Sequence, residues 1–444
     1  MPALPEPFIE NMREMLGDEA PAFLHALEQP PALALRLNPR RPGAEAAAAE
    51  YAEGVVPWEP LGRYLKPGAK PGAGIAHWAG AYYIQEASAM VSAAVLAARP
   101  GERVLDLCAA PGGKSTQIAA TMDNRGLLVS NDPEPARARV LAGNLERMGA
   151  ANAIVVNALP GKLAPRWGET FDAVLVDAPC SGEGMFRRDP EARGEWRPQS
   201  PAGCAARQVE ILDCAAAMLR PGGRLVYSTC TFNRLENEGS VAGFLDRHPD
   251  FEPEDFTLNG IGGSVGGMLR VFPHRARGDG HFVAKLRKAG VPREDRPRPT
   301  KPDPAAARLL HQLDREICPL PDWLEDMRLT LSGDRLLAAP ADAPGLGGIK
   351  VVSPGLWLLR AGRSHIEPEH PLAMALADTR RTAALDDAQA AAFLAGEALP
   401  IDGERGWTRV AWRGMPLGWG KQTGEILKNH LPKGLRKTIF CDKF

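Results

Sequence analysis

The chain has 444 residues, of which 44% are hydrophobic and 24% are charged, and its formal net charge is -1. A chain of this length exceeds what one hydrophobic core usually serves, so we expect two or three domains. It has no apolar run of about 18 residues, and its N-terminus lacks the basic start and apolar stretch of a signal peptide. These features argue against a membrane protein and predict a cytoplasmic one.

The cysteines form an odd set of seven with no repeated short spacing. This pattern argues against a disulfide framework and against a structural zinc site, so we expect no bound metal. The thiols are then reduced and available for chemistry. They are Cys108, Cys180, Cys204, Cys214, Cys230, Cys318 and Cys441.

Residues 1–70 combine an amphipathic helix at Phe8–Leu16, a strand at Ala34–Asn38 and proline-rich connections, which predicts a small leading module. Over 71–290, apolar runs alternate with helical stretches, the pattern of a parallel sheet covered by helices. The predicted strands are Arg103–Cys108, Gly126–Asn131, Ala153–Asn157, Asp172–Asp177, Arg224–Ser228 and His281–Leu286. The predicted helices span 114–122, 134–148, 201–219 and 234–247.

The segment 291–306 is rich in proline and charge, which is typical of a linker that cannot pack a core. A separate C-terminal domain is expected over 307–444, with a helix near 383–395 and a basic tail. Its predicted strands are Ile349–Val352, Gly355–Leu359 and Val410–Trp412.

Basic residues concentrate in two places, between Arg270 and Lys301 and in the tail from Lys421 to Lys443. Clustered Lys and Arg side chains are what a phosphate-bearing partner requires. An ordinary solvated surface is the simpler explanation of each cluster taken separately. Charge alone therefore leaves the partner open.

A loop of small residues and glycines, Asp106–Thr116, joins the first strand of the sheet to a helix. Open α/β sheets bind ligands at this position, where glycines allow close approach and free N–H groups favour an anion. Residues 113–115 also match the end of a P-loop, so a nucleotide hydrolase is one alternative. Against it, Cys108 stands where a P-loop needs its first glycine, and Pro111 lacks an N–H group.

Two polar residues near this loop have two interpretations each. Asp132 ends the second strand, where an acid accepts hydrogen bonds from the ribose of a nucleoside cofactor. It is equally a candidate helix N-cap, since Pro133 and Glu134 open the next helix. Lys114 either belongs to the ligand site or is a helix-start lysine that faces solvent.

Cys180 follows the fourth strand and Cys230 the fifth, so both open onto the ligand face of the sheet. A buried cysteine is most often an inert small hydrophobe. A thiol at this edge is suited to the methylation of cytosine, because a thiolate that adds to C6 makes C5 nucleophilic enough to take a methyl group. The base must be unpaired or flipped out for this attack. The residues alone do not show which cysteine is the nucleophile.

Five motifs lie between residues 36 and 231: Arg36–Asn38, Tyr82–Ser88, Cys108–Lys114, Asp177–Phe186 and Tyr227–Thr231. With them, the chain resembles the NOL1/NOP2/Sun family of RNA 5-methylcytosine methyltransferases, most closely its bacterial ribosomal-RNA branch, RsmF. The tail segments Pro416–Lys421 and Leu427–Arg436 resemble the PUA-like RNA-binding region of that branch. The resemblance implies a Rossmann-like α/β sheet of the class I S-adenosylmethionine-dependent methyltransferases, with a small N-terminal RNA-binding module and a C-terminal PUA-like RNA-binding domain.

The resemblance further implies transfer of a methyl group from S-adenosylmethionine to C5 of cytidine in 16S ribosomal RNA, by a monomer that binds this RNA or the small subunit. It assigns the covalent C6 adduct to Cys230 and its release to Cys180, with Asp177 and Lys114 as further catalytic residues. One departure is Leu159, where some relatives carry an acid that holds the adenine. A non-catalytic RNA-binding assembly factor is the alternative to an enzyme. The implied cofactor contacts are Cys108, Ala109, Ala110, Pro111, Gly112, Gly113, Lys114, Asp132, Arg137 and Asp177.

Overall fold

In the computed structural model, which describes residues 3–291, 301–363 and 365–437, the chain begins with two helices and a small antiparallel sheet. The elements are α1 (Glu6–Leu16), α2 (Ala20–Glu28), β1 (Ala34–Leu37), α3 (Ala44–Ala48), β2 (Ala52–Val55), β3 (Gly62–Leu65), α4 (Ile75–Trp78) and β4 (Tyr82–Ile84). The strand order is β2-β3-β1-β4. The sheet continues past residue 70, the predicted end of this module, because the glycine- and proline-rich stretch 67–74 is a connection inside the sheet.

A nine-stranded sheet follows, in the order β10-β14-β9-β8-β5-β6-β7-β17 with β13 beside β14. Its elements up to residue 288 are α5 (Val91–Leu96), β5 (Arg103–Asp106), α6 (Gly113–Met122), β6 (Leu127–Asn131), α7 (Pro135–Arg147), β7 (Ala153–Asn157), α8 (Pro160–Leu163), β8 (Phe171–Asp177), α9 (Pro190–Glu195), α10 (Ser200–Met218), β9 (Leu219–Thr229), α11 (Ser240–Arg247), β10 (Phe251–Pro253), β11 (Thr257–Leu258), β12 (Gly262–Gly263), β13 (Met268–Val271) and β14 (His281–Lys288). The five strands from β9 to β7 are parallel. The predicted doubly wound α/β sheet is confirmed.

The parallel strands are apolar throughout because both faces of the sheet are covered. Alternate residues of a strand point to opposite faces. On one face, Val104 and Leu128 belong to a core with helices α5, α6 and α7. On the other, Leu105 and Val129 pack in a core with α10. The carboxyl ends of the strands are therefore left as the place where a ligand can approach the sheet.

The C-terminal third adds two four-stranded sheets, β15-β16-β18-β19 and β20-β21-β22-β23. Its elements are α12 (Pro304–Glu316), β15 (Met327–Ser332), β16 (Arg335–Pro340), β17 (Lys350–Ser353), β18 (Leu356–Ala361), β19 (Ile366–Pro368), α13 (His370–Ala375), β20 (Thr382–Leu385), α14 (Asp387–Ala395), β21 (Gly406–Trp412), β22 (Met415–Gln422) and β23 (Leu427–Asn429). Helix α12 starts inside the predicted linker 291–306, because the Asp303 side chain caps it. Residues 292–300 of that linker lie outside the described residues.

Two sets of contacts join this C-terminal third to the rest of the chain. Strand β17 pairs antiparallel with β7 at the edge of the central sheet, with Val351 opposite Val156. The last sheet shares a hydrophobic core with the N-terminal sheet, to which Leu35 and Leu417 both belong. Strand β17 of the C-terminal third is thus part of the central sheet, since an unpaired sheet edge accepts a strand from any part of the chain that reaches it. Within the described ranges, no helix is both long and apolar enough to cross a membrane.

Candidate active site

The carboxyl ends of β5, β8 and β9 meet at one edge of the central sheet. Strand β8 lies between the other two, with Asp177 beside Ser228 of β9. The loops that follow these strands border a pocket of about 340 Å³. Its lining includes Ala109, Pro111, Lys114, Asp177, Cys230 and His281.

A partly buried ion pair joins Lys114 to Asp177 in this pocket, with 2.7 Å between Nζ and Oδ2. The other carboxylate oxygen accepts a hydrogen bond from Ser228 Oγ at 2.9 Å and lies 3.6 Å from Nε2 of His281. Burial alone would raise the pKa of Asp177, but Lys114 and His281 hold it well below its usual range. Burial alone would lower the pKa of Lys114, but the Asp177 carboxylate raises it. Both groups are therefore charged at neutral pH, and Lys114 is a pocket residue rather than a solvent-facing one.

The two candidate thiols are neighbours, with 3.4 Å between the Sγ atoms of Cys180 and Cys230. Both are free and only partly buried, unlike an inert core cysteine. The hydrogen bond with Cys230, followed by burial, raises the pKa of Cys180 well above its usual value. The Cys180 thiol thus keeps its proton at neutral pH.

Two buried glutamates fix the loops that carry these thiols. Glu236 accepts a hydrogen bond from the N–H of Ser181 at 2.9 Å, next to Cys180. Glu183 accepts one from the N–H of Phe232 at 2.8 Å, in the loop after β9. Sequence reasoning missed both residues. Glu183 lies inside the family motif Asp177–Phe186, which could have drawn attention to it, but the motif alone assigns it no role.

The two glycines of the loop between β5 and α6 pack closely against neighbouring side chains. Gly112 has a φ of 114°, and a Cβ there would lie 3.1 Å from a methyl carbon of Leu141. A Cβ on Gly113 would lie 3.3 Å from the ring of Tyr83. Because α6 starts at Gly113, which lines the pocket, the free N–H groups of its first turn lie beside the pocket as well.

Asp132 and Arg137 lie next to this loop. Arg137 Nη2 is 3.4 Å from Asp132 Oδ2 and donates a hydrogen bond to the Ala110 carbonyl at 2.9 Å. Asp132 Oδ1 accepts from the N–H of Glu134 at 2.9 Å, but the N-cap of α7 is Glu134 itself. Asp132 therefore belongs to the turn before the helix and is not its cap.

The structure does not place every predicted cofactor contact in the same cavity. Among the described residues, Cys108, Gly112, Asp132 and Arg137 do not line the pocket that contains Cys230. Burial raises the pKa of Cys108, so this thiol is protonated and unreactive. Leu159, the position of the expected acid, is 60% exposed.

Four family models match consecutive segments of the chain: the N-terminal domain of 16S rRNA methyltransferase RsmF at 4–87, 16S rRNA methyltransferase RsmB/F at 93–287, the RsmF rRNA methyltransferase first C-terminal domain at 315–376 and the methyltransferase RsmF PUA domain at 380–437. Ribosomal RNA small subunit methyltransferase F of Erwinia tasmaniensis is 33% identical over 97% of this chain and 96% of its own length. The Vibrio cholerae protein of the same name is 34% identical over 98% of each chain. The chain belongs to the RsmF branch of the NOL1/NOP2/Sun family.

Solved structures agree with the RsmF assignment at the level of the fold. A methyltransferase homologue from Pyrococcus horikoshii is 28% identical with a TM-score of 0.55, and the match covers 64% of this chain and 95% of that chain. The structure of NSun6 from the same organism has a TM-score of 0.58 at 23% identity, covering 65% of this chain and 99% of that one, a likeness of fold alone. Membership in the RsmF branch leaves the P-loop interpretation of residues 113–115 without support.

His281 is a further residue of this RsmF-family site that the sequence analysis did not identify. It lies on β14, which pairs antiparallel with β9. Its Nε2 is 3.0 Å from Ser92 Oγ, on the same side as Asp177. A single buried histidine in an apolar strand has no local signature, so only the pairing of β14 with β9 reveals its position.

Asp106, at the carboxyl end of β5, makes stability depend on pH. Its Oδ2 accepts a hydrogen bond from Ser115 Oγ at 2.7 Å, whereas its Oδ1 is buried with no hydrogen-bond partner among the described residues. Burial raises the pKa of Asp106 to about 7. The folded chain therefore holds a proton that the unfolded chain releases above about pH 4, and folding stability falls as the pH rises from there to about 7.

We expect Asp106→Asn to remove this contribution, because an amide keeps an acceptor for Ser115 without titrating. The melting temperature of the variant minus that of the wild type should increase between pH 5 and pH 7 and then level off. Thermal unfolding at constant ionic strength measures it. A difference that does not change with pH would contradict the assignment.

Proposed function

We propose that the chain transfers a methyl group from S-adenosylmethionine to C5 of cytidine in the ribosomal RNA of the small subunit. The observation that carries the proposal is a pair of thiols 3.4 Å apart, of which Cys230 lines the same pocket as the Lys114–Asp177 ion pair. Transfer to a nitrogen or an oxygen of RNA needs no thiol, because these atoms are nucleophilic already. Carbon C5 of cytosine needs a nucleophile on C6.

The loop between β5 and α6 fits the methyl donor. Gly113, the first residue of α6, lines the pocket, and the first N–H groups of this helix suit a carboxylate. Asp132 is the proposed acceptor for the ribose hydroxyls, with Arg137 and residues 108–111 beside it. When bound, S-adenosylmethionine supplies an electrophilic methyl group on a sulfonium.

Four residues have separate roles in the proposed methyl transfer. The thiolate of Cys230 adds to C6 of the flipped cytosine, and the electron density gained at C5 accepts the methyl group. Ionised Asp177 accepts a hydrogen bond from the exocyclic amino group, a donor that uracil lacks. Lys114 offsets the negative charge that the ring gains during addition. In the last step, solvent accepts the C5 proton, the C5–C6 double bond forms again and the C6–S bond breaks. The protonated Cys180 thiol donates a proton to the departing sulfur and regains one from solvent.

The outer segments are the proposed RNA contacts. Residues 4–87 and 380–437 match the RsmF N-terminal and PUA models, and their sheets share one core. We expect the surface that these two segments form together to bind the RNA backbone and to position the RNA. Recognition of the target base is then the role of the pocket.

Purified protein, S-adenosylmethionine and small subunits from a deletion strain test the proposal. We expect 5-methylcytidine, detected by nucleoside mass spectrometry and located by bisulfite sequencing. Unmethylated RNA would favour the non-catalytic assembly factor, and methylation of another atom would contradict the chemistry. Calorimetry distinguishes the methyltransferase from the nucleotide hydrolase, since S-adenosylhomocysteine is expected to bind to the protein and ATP is not.

A further inference from the structure

A second cavity, of about 250 Å³, lies between the methyltransferase segment and the C-terminal sheets. It shares no lining residue with the pocket that contains Cys230. Helices α4, α7, α13 and α14 and strand β22 border it, together with the segment 431–435. Its lining includes His77, Trp78, Gly143, His370, Met374 and Leu417.

Two histidines of this cavity carry ring nitrogens that lack hydrogen bonds. The Nδ1 atoms of His77 and His370 are buried, and neither has a hydrogen-bond partner in the described part of the chain. The His370 side chain is 10% exposed, and Glu146 Oε1 lies 3.8 Å from its Nδ1, beyond hydrogen-bond range. A buried polar atom without a partner is costly, and a rotation of the ring that turns this nitrogen toward a polar ligand in the cavity would remove that cost.

The histidines are neutral, which selects the kind of ligand. Burial lowers the pKa of both His77 and His370 to about 4, so at pH 7 each ring offers one donor and one acceptor and no charge. The neutral histidines therefore offer no ion pair to a phosphate or carboxylate. The other walls combine apolar side chains, Trp78, Met374 and Leu417 among them, with the polar side chains of Asn144, Glu146 and Arg147. A neutral planar ring with donors and acceptors on its edge satisfies both features.

Basic residues are close in the chain to one wall of the cavity. Lys433, Arg436 and Lys437 lie within a few residues of the lining residues Leu431 and Leu435. The Nζ atom of Lys437 lies 5.4 Å from the centre of the Trp78 ring, which lines the cavity. An interior with aromatic, apolar and hydrogen-bonding side chains and a lysine beside its tryptophan matches a nucleotide whose base enters and whose phosphates stay outside.

We propose that this cavity binds one unpaired base of the RNA substrate, distinct from the cytosine that is methylated. The inference rests on the proposed RNA substrate and adds a second point of recognition to it. Asn144, which also lines the cavity, donates a hydrogen bond to the Pro111 carbonyl at 2.9 Å. Asn144 thus contacts both the cavity proposed for this base and the loop proposed to hold the methyl donor.

Gly143 on α7 permits a direct test with the full chain. A Cβ at this position would meet no atom within 4 Å, and replacing a helical glycine favours the helix. Gly143→Trp places an indole beside or inside the cavity, whereas Gly143→Ala adds one methyl group at the same site and is the matched control. We expect Gly143→Trp to bind a 16S rRNA transcript at least tenfold more weakly, and Gly143→Ala to bind it as the wild type does. The affinity for S-adenosylhomocysteine should be the same in all three.

Photo-crosslinking identifies the occupant. A 16S rRNA transcript that contains 4-thiouridine is expected to crosslink to peptides that include Trp78 or Met374. Unchanged RNA affinity of Gly143→Trp, or the absence of these crosslinks, would overturn the proposal. So would crosslinks that form only after deletion of residues 438–444, because the end of the chain itself would then be the occupant. Binding is measured without methyl transfer, so these results are independent of whether C5 methylation is observed.

Discussion

Cys230→Ala is expected to abolish methyl transfer to ribosomal RNA, with a loss in kcat on the order of 10³-fold or more. Without the sulfur no adduct forms at C6, and C5 of cytosine remains too electron-poor to take the methyl group. The Lys114–Asp177 ion pair does not involve Cys230 and should persist. The measurement is incorporation of labelled methyl groups, together with the affinity for S-adenosylhomocysteine, which is expected to stay unchanged.

Cys214→Ala is the matched control for this experiment. Cys214 is a partly buried free cysteine on α10 that does not line the pocket. We expect this variant to retain full turnover. If Cys230→Ala kept activity within tenfold of the wild type, Cys230 would not be the nucleophile, and Cys180 would be the next candidate.

Cys180→Ala is expected to trap the reaction after methyl transfer. The Cys230 sulfur still adds to C6, but no neighbouring thiol returns a proton when the adduct opens. We expect multiple-turnover methylation to fall by about 10² to 10³, which is the range for loss of a general acid or base. A protein–RNA adduct should accumulate and appear as a slow band on a denaturing gel, dependent on both RNA and S-adenosylmethionine.

The double variant Cys180→Ala/Cys230→Ala provides the control, because it should form no adduct at all. An adduct formed by Cys230→Ala alone would reverse the two roles. An adduct from neither single variant would remove the covalent step from the mechanism.

The central sheet was predictable because its strands are buried on both faces, which leaves continuous apolar runs. The observed β6 and β7 match the predicted runs to within one residue. The predicted helix near 383–395 was too long. Residues 382–385 pair with β21 as a strand, and α14 starts only at Asp387, with Asp386 as its N-cap and Gln389 completing the capping box. Alanine-rich segments fit either structure, so here the pairing partner decides.

The candidate site was predictable in its parts and not in its assembly. The order of the motifs places Cys180 and Cys230 after two strands, but their 3.4 Å separation requires β8 and β9 to be neighbours. The buried Glu183 and Glu236 were not found, because a glutamate that bonds to backbone N–H groups looks like any surface glutamate in the sequence. The strand predicted at Ile349–Val352 is observed as β17, but nothing in its residues indicated that it pairs with β7 of the central sheet.

By itself, the sequence determined the α/β sheet, the glycine loop and the RsmF relationship, since these depend on local periodicity and on contiguous motifs. Only the tertiary structure decided that Lys114 pairs with Asp177, that His281 lies beside them, and that a second cavity lies between α7 and the C-terminal sheets. The physical reason is that such contacts join residues far apart in the chain. The free energy of these contacts depends on burial that several distant segments produce together, so it cannot be predicted from any one segment of the sequence.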